Sequence, residues 1–547
     1  MKHFFTFLLI ISILLALSGC GKTEDDPSRV RDISGLYYLD EVRNEAIIDD
    51  AGAVTSTVDG NARVYYQIFV GSFSDSNGDG VGDLRGIINR FDYLNDGDPN
   101  SGVSLGVEGI WLSPIFKSPS YHKYDATDYY SIDPKFGTMD DLKELVDLCH
   151  SRGVQIILDL AINHTSTASQ WFLNFVEAHK YEDTTDPYYN FYSYAEEPVA
   201  GRTYAKINGT SQYYECNFSV DMPELNFDNE DVRQAIMDVS KYYLDLGVDG
   251  FRFDAAKYIY YGDEAANAQF WVWYMTQLRS IKPDIYTVAE VWDSDSVTFP
   301  YFASTNCFNF TMSQTAGLIA QTAQAGSVNS FTAYIEQYLQ KIHTQRPEAM
   351  MVTFIANHDM DRAAGFLTVA SGQAKVAANL SILMPGSSFI YYGEEIGMKG
   401  SRGSSNTDAN RRLAMLWGDN DTIRDPEGAD YSSTQSNGTV ADQLPDGNSL
   451  YNHYKKLIAI RKANPEIAYG TYTALDIPDA KQGGFLCTYK GSTVAVIHNT
   501  TNSTFEIDLS TITDVSLTQI AAYAGVGTAT LEGTVLTISG QTSVVLR

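Results

Sequence analysis

Gly250-Phe251-Arg252-Phe253-Asp254 is an apolar run that stops on a carboxylate, with a cation two residues before it. Residues two apart in a strand share a face, so Arg252 and Asp254 are expected to point the same way. Three other stretches are built alike: Asp159-Leu160-Ala161-Ile162-Asn163-His164, Val288-Ala289-Glu290-Val291-Trp292 and Phe354-Ile355-Ala356-Asn357-His358-Asp359. Each ends on acidic, basic or imidazole side chains. Strand ends of this kind, scattered along a chain, are expected to meet in a (β/α)8 barrel, whose active site is assembled at the C-terminal ends of its strands.

Outward from these stretches the chain alternates strand and helix. Val64-Tyr65-Tyr66-Gln67-Ile68-Phe69-Val70 and Gly109-Ile110-Trp111-Leu112 read as buried strands. Leu142, Leu145, Val146 and Cys149 recur at helical spacing, with Thr138 as N-cap and Gly153 as the stop. A strand over 155–159 follows. The rhythm breaks after His164, where 166–226 are dense in Tyr, Phe, Asn, Thr and Gly with no sustained period, and an irregular inserted subdomain is expected there. It resumes at the capping pair Asp228-Asn229, after which Val232, Ile236, Val239, Tyr243 and Leu246 trace one helical face. A helix over 270–279 and strands over 285–289, 350–355 and 388–392 continue the pattern. Beyond Pro465 the helical period disappears, and short alternating runs at 485–489, 493–497 and 535–538 predict an antiparallel β-sandwich. The expected architecture is α/β: a TIM barrel from 63–165 and 227–465, an insert at 166–226 after the third strand, and a C-terminal sandwich at 466–547.

A chain of 547 residues suits such a barrel with one or two smaller domains, and 44% apolar against 19% charged residues marks a folded protein. The formal net charge of −30 argues against nucleic acid as a partner, since the long-range field repels phosphates. The run over 4–17 fits the core of a secretory signal peptide, and Leu17-Ser18-Gly19-Cys20, at the end of this 1–20 segment, resembles a bacterial lipobox, in which cleavage before the Cys leaves Cys20 as the lipidated N-terminus. Residues 21–62 then form a polar tether and an N-terminal extension. These features predict an extracytoplasmic protein held to a bacterial membrane only through its lipid. The remaining cysteines, Cys149, Cys216, Cys307 and Cys487, are too dispersed to indicate zinc or a disulfide framework.

Asp254, Glu290 and Asp359 each follow an apolar run and are expected at the barrel mouth. Retaining glycosidases need two carboxyl groups ~5 Å apart, one as nucleophile and one as acid and later base. The Arg252 cation is expected to keep Asp254 ionised, and the apolar flanks of Glu290 to raise its pKa, as a proton donor requires. A separate loop, Asp75-Ser76-Asn77-Gly78-Asp79-Gly80-Val81-Gly82-Asp83, offers side-chain oxygens at Asp75, Asn77, Asp79 and Asp83 and a carbonyl at Val81. That spacing suits a hard cation.

The four stretches resemble, in order and content, the conserved regions of the α-amylase family of glycoside hydrolases, family 13. Met222-Pro223-Glu224-Leu225-Asn226 resembles its additional region, and Tyr121-His122-Lys123-Tyr124-Asp125 opens a segment that resembles its substrate-gripping one. The resemblance covers about 63–547. It implies Asp254 as nucleophile, Glu290 as general acid/base and Asp359 as transition-state stabiliser. It also implies His122, Tyr124, Asp125, His164, Arg252 and His358 as substrate-binding residues, and Ca2+ in the 75–83 loop. Lys257 matches a lysine that α-amylases use on the leaving-group side of an α-1,4 chain, and Ala255 stands where α-1,6 enzymes typically carry Val. The resemblance therefore implies an endo-acting α-amylase working on starch or maltodextrin outside the cytoplasm. The competing readings are an exo-acting or α-1,6-active glucosidase of the neopullulanase or oligo-1,6-glucosidase type, and a non-catalytic glucan-binding lipoprotein. The last predicts a missing catalytic carboxylate, and none is missing. Tyr258 and Glu224 depart from the family's usual His and Asp, which puts in doubt a second calcium site at Asn163.

Overall fold

The computed structural model describes residues 60–98, 101–102, 104–324 and 326–547. The signal peptide, Cys20 and nearly all of the tether and N-terminal extension lie outside the described residues.

The barrel strands are β1 Val64–Ile68, β2 Gly109–Leu112, β3 Gln155–Leu160, β4 Gly250–Phe253, β5 Tyr286–Ala289, β6 Asn306–Cys307, β7 Val352–Phe354 and β8 Ser387–Tyr391. They form one sheet in the order β6-β5-β4-β3-β2-β1-β8-β7, parallel throughout. Phe308, just past β6, bridges in parallel to Val352 of β7, and Asn309 N donates to Val352 O at 2.8 Å. The two sheet edges therefore meet and the barrel closes. Every residue of β1, β2, β4 and β5 is buried, because parallel strands are covered on one face by helices and on the other by their neighbours' side chains. The register sets Asp159 beside Arg252 and Arg252 beside Val288. Asp254 and Glu290 each stand one residue beyond their strand.

The helices follow the expected faces. Met139–Ser151 starts with a reciprocal Thr138/Asp141 capping box, buries Leu142, Leu145, Val146 and Cys149, and is followed by Gly153 at φ +69°. Glu230–Asp245 is capped by Asn229 and buries Val232, Ile236, Val239 and Tyr243. The helix expected over 270–279 is longer, Glu264–Ile281, because the Asp263 side chain accepts from Ala266 N and starts it earlier. Strand β6 was invisible as sequence: two residues, Asn306 and Cys307, carry no period.

Residues 166–226 are more regular than expected. Helix Gln170–Lys180 buries Phe172, Phe175 and His179, and Tyr194–Ala195, Tyr213–Glu215 and Tyr204–Lys206 form a three-stranded antiparallel sheet. Phe172 meets Tyr192 and Tyr214 edge-on, with centroids 5.2 and 4.9 Å away. Aromatics flank this helix on several faces, which hides its period. At the C-terminus, a five-stranded antiparallel sheet faces a three-stranded one across Leu475, Ile497, Ile507, Leu536, Ile538 and Val544. The five-stranded sheet is tied to the barrel through Asn379, whose amide donates to Ala524 O and Ser543 Oγ at 3.0 and 2.9 Å. Among the described residues, Cys149, Cys216, Cys307 and Cys487 are buried and unpaired.

Candidate active site

The C-terminal strand ends surround a cleft of about 940 Å3 lined by Tyr121, His122, Tyr124, His164, Asp254, Glu290, Trp292, Asp359 and Arg412, among others. Its organising group is Arg252. One terminal nitrogen, Nη1, donates to Asp159 Oδ1 at 2.8 Å and to Asp254 Oδ1 at 2.6 Å. The other, Nη2, lies 3.0 Å from Glu290 Oε2. The guanidinium is fully buried and stacks 5.1 Å from the Trp111 ring, so its fork is fixed and its two ends hold Asp254 and Glu290 side by side.

Burial sets the protonation of these acids. It pushes Asp254 up to about 6, against the pull of Arg252 and with the help of Asp159 and Asp359. The Arg252 cation expected to keep Asp254 ionised is in place, but desolvation outweighs its pull and lifts the pKa. Burial pushes Glu290 further, to about 7, again opposed by Arg252 and reinforced by Asp254 and Asp359. Near pH 6.5 Asp254 is thus mostly ionised and Glu290 mostly protonated. Glu290 Oε2 also accepts from Ala255 N at 3.1 Å. Ala255 sits at φ +50°, a conformation in which a β-branched residue would be strained.

Asp359 behaves oppositely. Burial raises it, but the His358 ring and the guanidiniums of Arg412 and Arg252 outweigh burial and hold it well below the usual carboxylate range. His358 is itself pushed down by burial, so at neutral pH its ring contributes an N–H and the arginines contribute the positive charge. Gln67 Nε2 donates to His358 Nδ1 at 2.7 Å, which leaves the proton on Nε2, 2.6 Å from Tyr124 Oη and 3.0 Å from Asp359 Oδ2. Tyr124 in turn donates to Asp159 Oδ2 at 2.9 Å. His164 Nε2 lies 3.2 Å from the Tyr124 carbonyl, and burial pushes both His164 and His122 down to about 4. The cleft therefore presents neutral imidazoles, suited to hydrogen-bonding hydroxyl groups.

The comparisons with known proteins bear on this arrangement. A family description, the alpha-amylase catalytic domain, matches residues 67–470, well over half of the chain. The chain belongs to the α-amylase family. Alpha-amylase 3 of Dictyoglomus thermophilum is 34% identical over 447 residues, covering 80% of this chain and 84% of its own. A 4-alpha-glucanotransferase of Thermotoga neapolitana is 31% identical over 460 residues, covering 80% and 95%. Among solved structures, Amy13B of Eubacterium rectale superposes with a TM-score of 0.83 at 33% identity, covering 90% of this chain and 96% of that one.

Not every residue singled out in this α-amylase family member reaches the cleft. Asp125 is buried and accepts from the Ser118 and Ser120 hydroxyls, so it braces the segment that carries His122 and Tyr124. Lys257 donates to Trp292 O at 2.8 Å and Asp293 Oδ2 at 2.9 Å, so it pins the backbone after Glu290. Three groups at the site went unnoticed as sequence. Gln67 fixes the His358 tautomer from within β1, where it reads as one polar residue in an apolar strand. Tyr121 opens the 121–125 motif and lines the cleft, its hydroxyl accepting from Arg412. Arg412 donates to Asp359 Oδ1 at 2.7 Å, His358 O at 3.0 Å and Tyr121 Oη at 3.0 Å, from a stretch with no strand or helix periodicity.

The 75–83 loop curls around its own oxygens. Asp75 accepts from the Gly78 and Gly80 N–H groups, each at 2.7 Å, Asn77 Oδ1 from Asp79 N at 2.9 Å, and Asp79 Oδ1 from Val81 N at 2.8 Å. Asp83 caps the following helix through Gly86 N at 2.6 Å. The donors are all oxygens, which suits a hard divalent ion, but no group of three or more His, Cys, Asp or Glu side chains gathers around one point among the described residues. An ion held by Asp75, Asn77, Asp79, Asp83 and the Val81 carbonyl would add rigidity, not chemistry. As for a second ion at Asn163, its Nδ2 is buried without a partner, and Glu224 beside it is pushed up to about 7 by burial and by Glu215.

Proposed function

We propose that the protein is a retaining, endo-acting α-1,4-glucan hydrolase of the α-amylase type that cleaves starch or maltodextrin by double displacement. The observation that carries this reading is the Arg252 fork. Two carboxyl groups set on the two nitrogens of one guanidinium stand side by side, the arrangement a retaining pair ~5 Å apart requires. In the first step Asp254 attacks the anomeric carbon while Glu290 gives its proton to the glycosidic oxygen, and the leaving chain departs. In the second, Glu290 takes a proton from water, which attacks the same carbon and frees Asp254. Asp359, held ionised and oriented by Arg412 and His358, accepts hydrogen bonds from sugar hydroxyls.

The cleft volume, near the top of the usual range for ligand sites, leaves room for several sugar units. Glu290 marks the leaving-group side, and Trp292 lies two residues on, 41% exposed and stacked on Phe310 at 5.1 Å. That ring is a ready platform for a sugar of the departing chain, and Lys257 ties down the Trp292 backbone carbonyl. The same platform favours a second reading, transfer to a sugar acceptor in place of water.

The test is a product profile. Soluble starch should lose viscosity early and yield short maltooligosaccharides. Glucose as the sole early product, cleavage of isomaltose, or products longer than a maltooligosaccharide substrate would each replace this reading with exo action, α-1,6 action or transfer. The lipid anchor at Cys20 is part of the proposal, supported by the apolar 4–17 run and the lipobox-like 17–20. If Cys20→Ser stays in the membrane fraction, the anchor is not that lipid.

A further inference from the structure

Outside the cleft, a groove of about 460 Å3 runs between the hairpin Phe116–Lys117/Asp128–Ile132 and the start of helix Gln170–Lys180. It shares no lining residue with the catalytic cleft. We propose that this groove is a second binding site for α-glucan chains, with Tyr130 and Trp171 as sugar platforms. The inference rests on the α-glucan reading of the cleft.

The aromatic rings are rigid. Tyr130 is 42% exposed, yet its ring is held edge-on against Tyr242 at 5.3 Å. Half-buried Trp171 packs between Tyr129 and Phe191, with centroids 5.8 and 5.3 Å away. Tyr129 is pinned by its hydroxyl, which donates to Ala161 O at 2.6 Å and His164 O at 3.0 Å. Rings ordered before binding present flat apolar faces to the C–H surfaces of a sugar at little entropic cost. Around them stand groups that serve hydroxyls. Lys117 is exposed, lines the groove and pairs with Asp128 in the hairpin register. Asp128 accepts from Tyr130 N at 2.9 Å, which fixes its carboxylate beside the ring, and Gln170 adds an amide at the far edge.

A lining with one cation and one anion beside two aromatic side chains suits a neutral, hydroxyl-rich ligand rather than an ion. A neutral polymer is also indifferent to the net charge of −30 that would repel polyanions. The polymer that is cut in the cleft supplies such chains in many copies. A second hold on it would raise the local concentration of cleavable bonds without a new contact at the catalytic acids.

The test uses the full chain carrying Asp254→Asn, which removes turnover, and measures retardation in gels containing soluble amylopectin. Adding Tyr130→Ala and Lys117→Ala should weaken amylopectin binding roughly five- to tenfold. In the active enzyme the same two changes should leave turnover of a short aryl maltooligosaccharide within about twofold, which shows that the fold and cleft are intact. Unchanged retardation would overturn the groove and leave the cleft reading standing. Loss of short-substrate turnover in parallel with binding would also overturn it, since the groove would then be a support of the cleft. If the parent neither binds nor cleaves amylopectin, both proposals fall together.

Discussion

Arg412 Nη2 lies 2.7 Å from Asp359 Oδ1, and the remaining nitrogens of the same guanidinium hold the His358 carbonyl and the Tyr121 hydroxyl. One side chain thus orients the Asp359 carboxylate and the segment that carries it. Lysine keeps the charge but has no fork to make three directed bonds. Arg412→Lys should lower kcat on a soluble maltooligosaccharide by about two orders of magnitude, the scale of losing a preorganised electrostatic contact. An unchanged kcat would show that Asp359 needs no such anchor.

The pKa order at the Arg252 fork fixes the pH profile. Asp254 must be ionised, so activity rises through about 6, and Glu290 must be protonated, so activity falls through about 7. The two limbs belong to the coupled set and will be read as apparent values. With an aryl substrate whose leaving group needs no proton, Glu290→Gln should remove the alkaline limb and keep the acid one. Persistence of the alkaline limb in that variant would assign it to another group.

The barrel and its acids were legible because strand ends at 159–164, 250–254 and 288–292 carry an unmistakable change from apolar to charged. The interior geometry was not. That Arg252 would share its fork between Asp254 and Glu290 depends on β4–β5 register, and no residue type announces register across a parallel pair. Arg412 was hidden for a simpler reason: it comes from an irregular stretch, where the structure alone decides which side chain reaches the site. Asp125 and Lys257 show the converse. Both sit in motif positions, yet each finds a partner of its own, the Ser118 and Ser120 hydroxyls for one and Asp293 for the other.

Glu394 is a buried acid that does not line the catalytic cleft. Its Oε1 accepts from Tyr454 at 3.0 Å, and burial, reinforced by neighbouring Glu395, pushes it up to about 8. A carboxyl whose folded pKa exceeds its unfolded value of ~4.3 contributes stability that is fully present below that value and is lost as pH rises through about 8. Between those limits the folded state binds the extra proton, so stability declines with pH. Glu394→Gln, which stays neutral, should flatten that decline, seen as a smaller drop in melting temperature from pH 5 to pH 8.5. An equal drop in both proteins would mean that Glu394 is ionised when folded.

The 75–83 loop gives a prediction that does not involve activity. If it takes Ca2+, the ion should raise the melting temperature by several degrees and the gain should vanish in Asp79→Ala, whose side chain otherwise bonds only its own loop. No response of the intact protein to Ca2+ or to a chelator would leave the loop held by its internal hydrogen bonds alone.

In the proposed double displacement Asp254 forms a covalent bond to the sugar while Glu290 serves first as acid and then as base. An α-maltosyl fluoride needs no acid to leave but still needs a base to release the enzyme. Intact-protein mass spectrometry of Glu290→Gln mixed with that fluoride should show one added maltosyl unit, mapped by peptide digestion to Asp254. Absence of any adduct while fluoride is released with inversion at the anomeric carbon, or an adduct on a different residue, would contradict it.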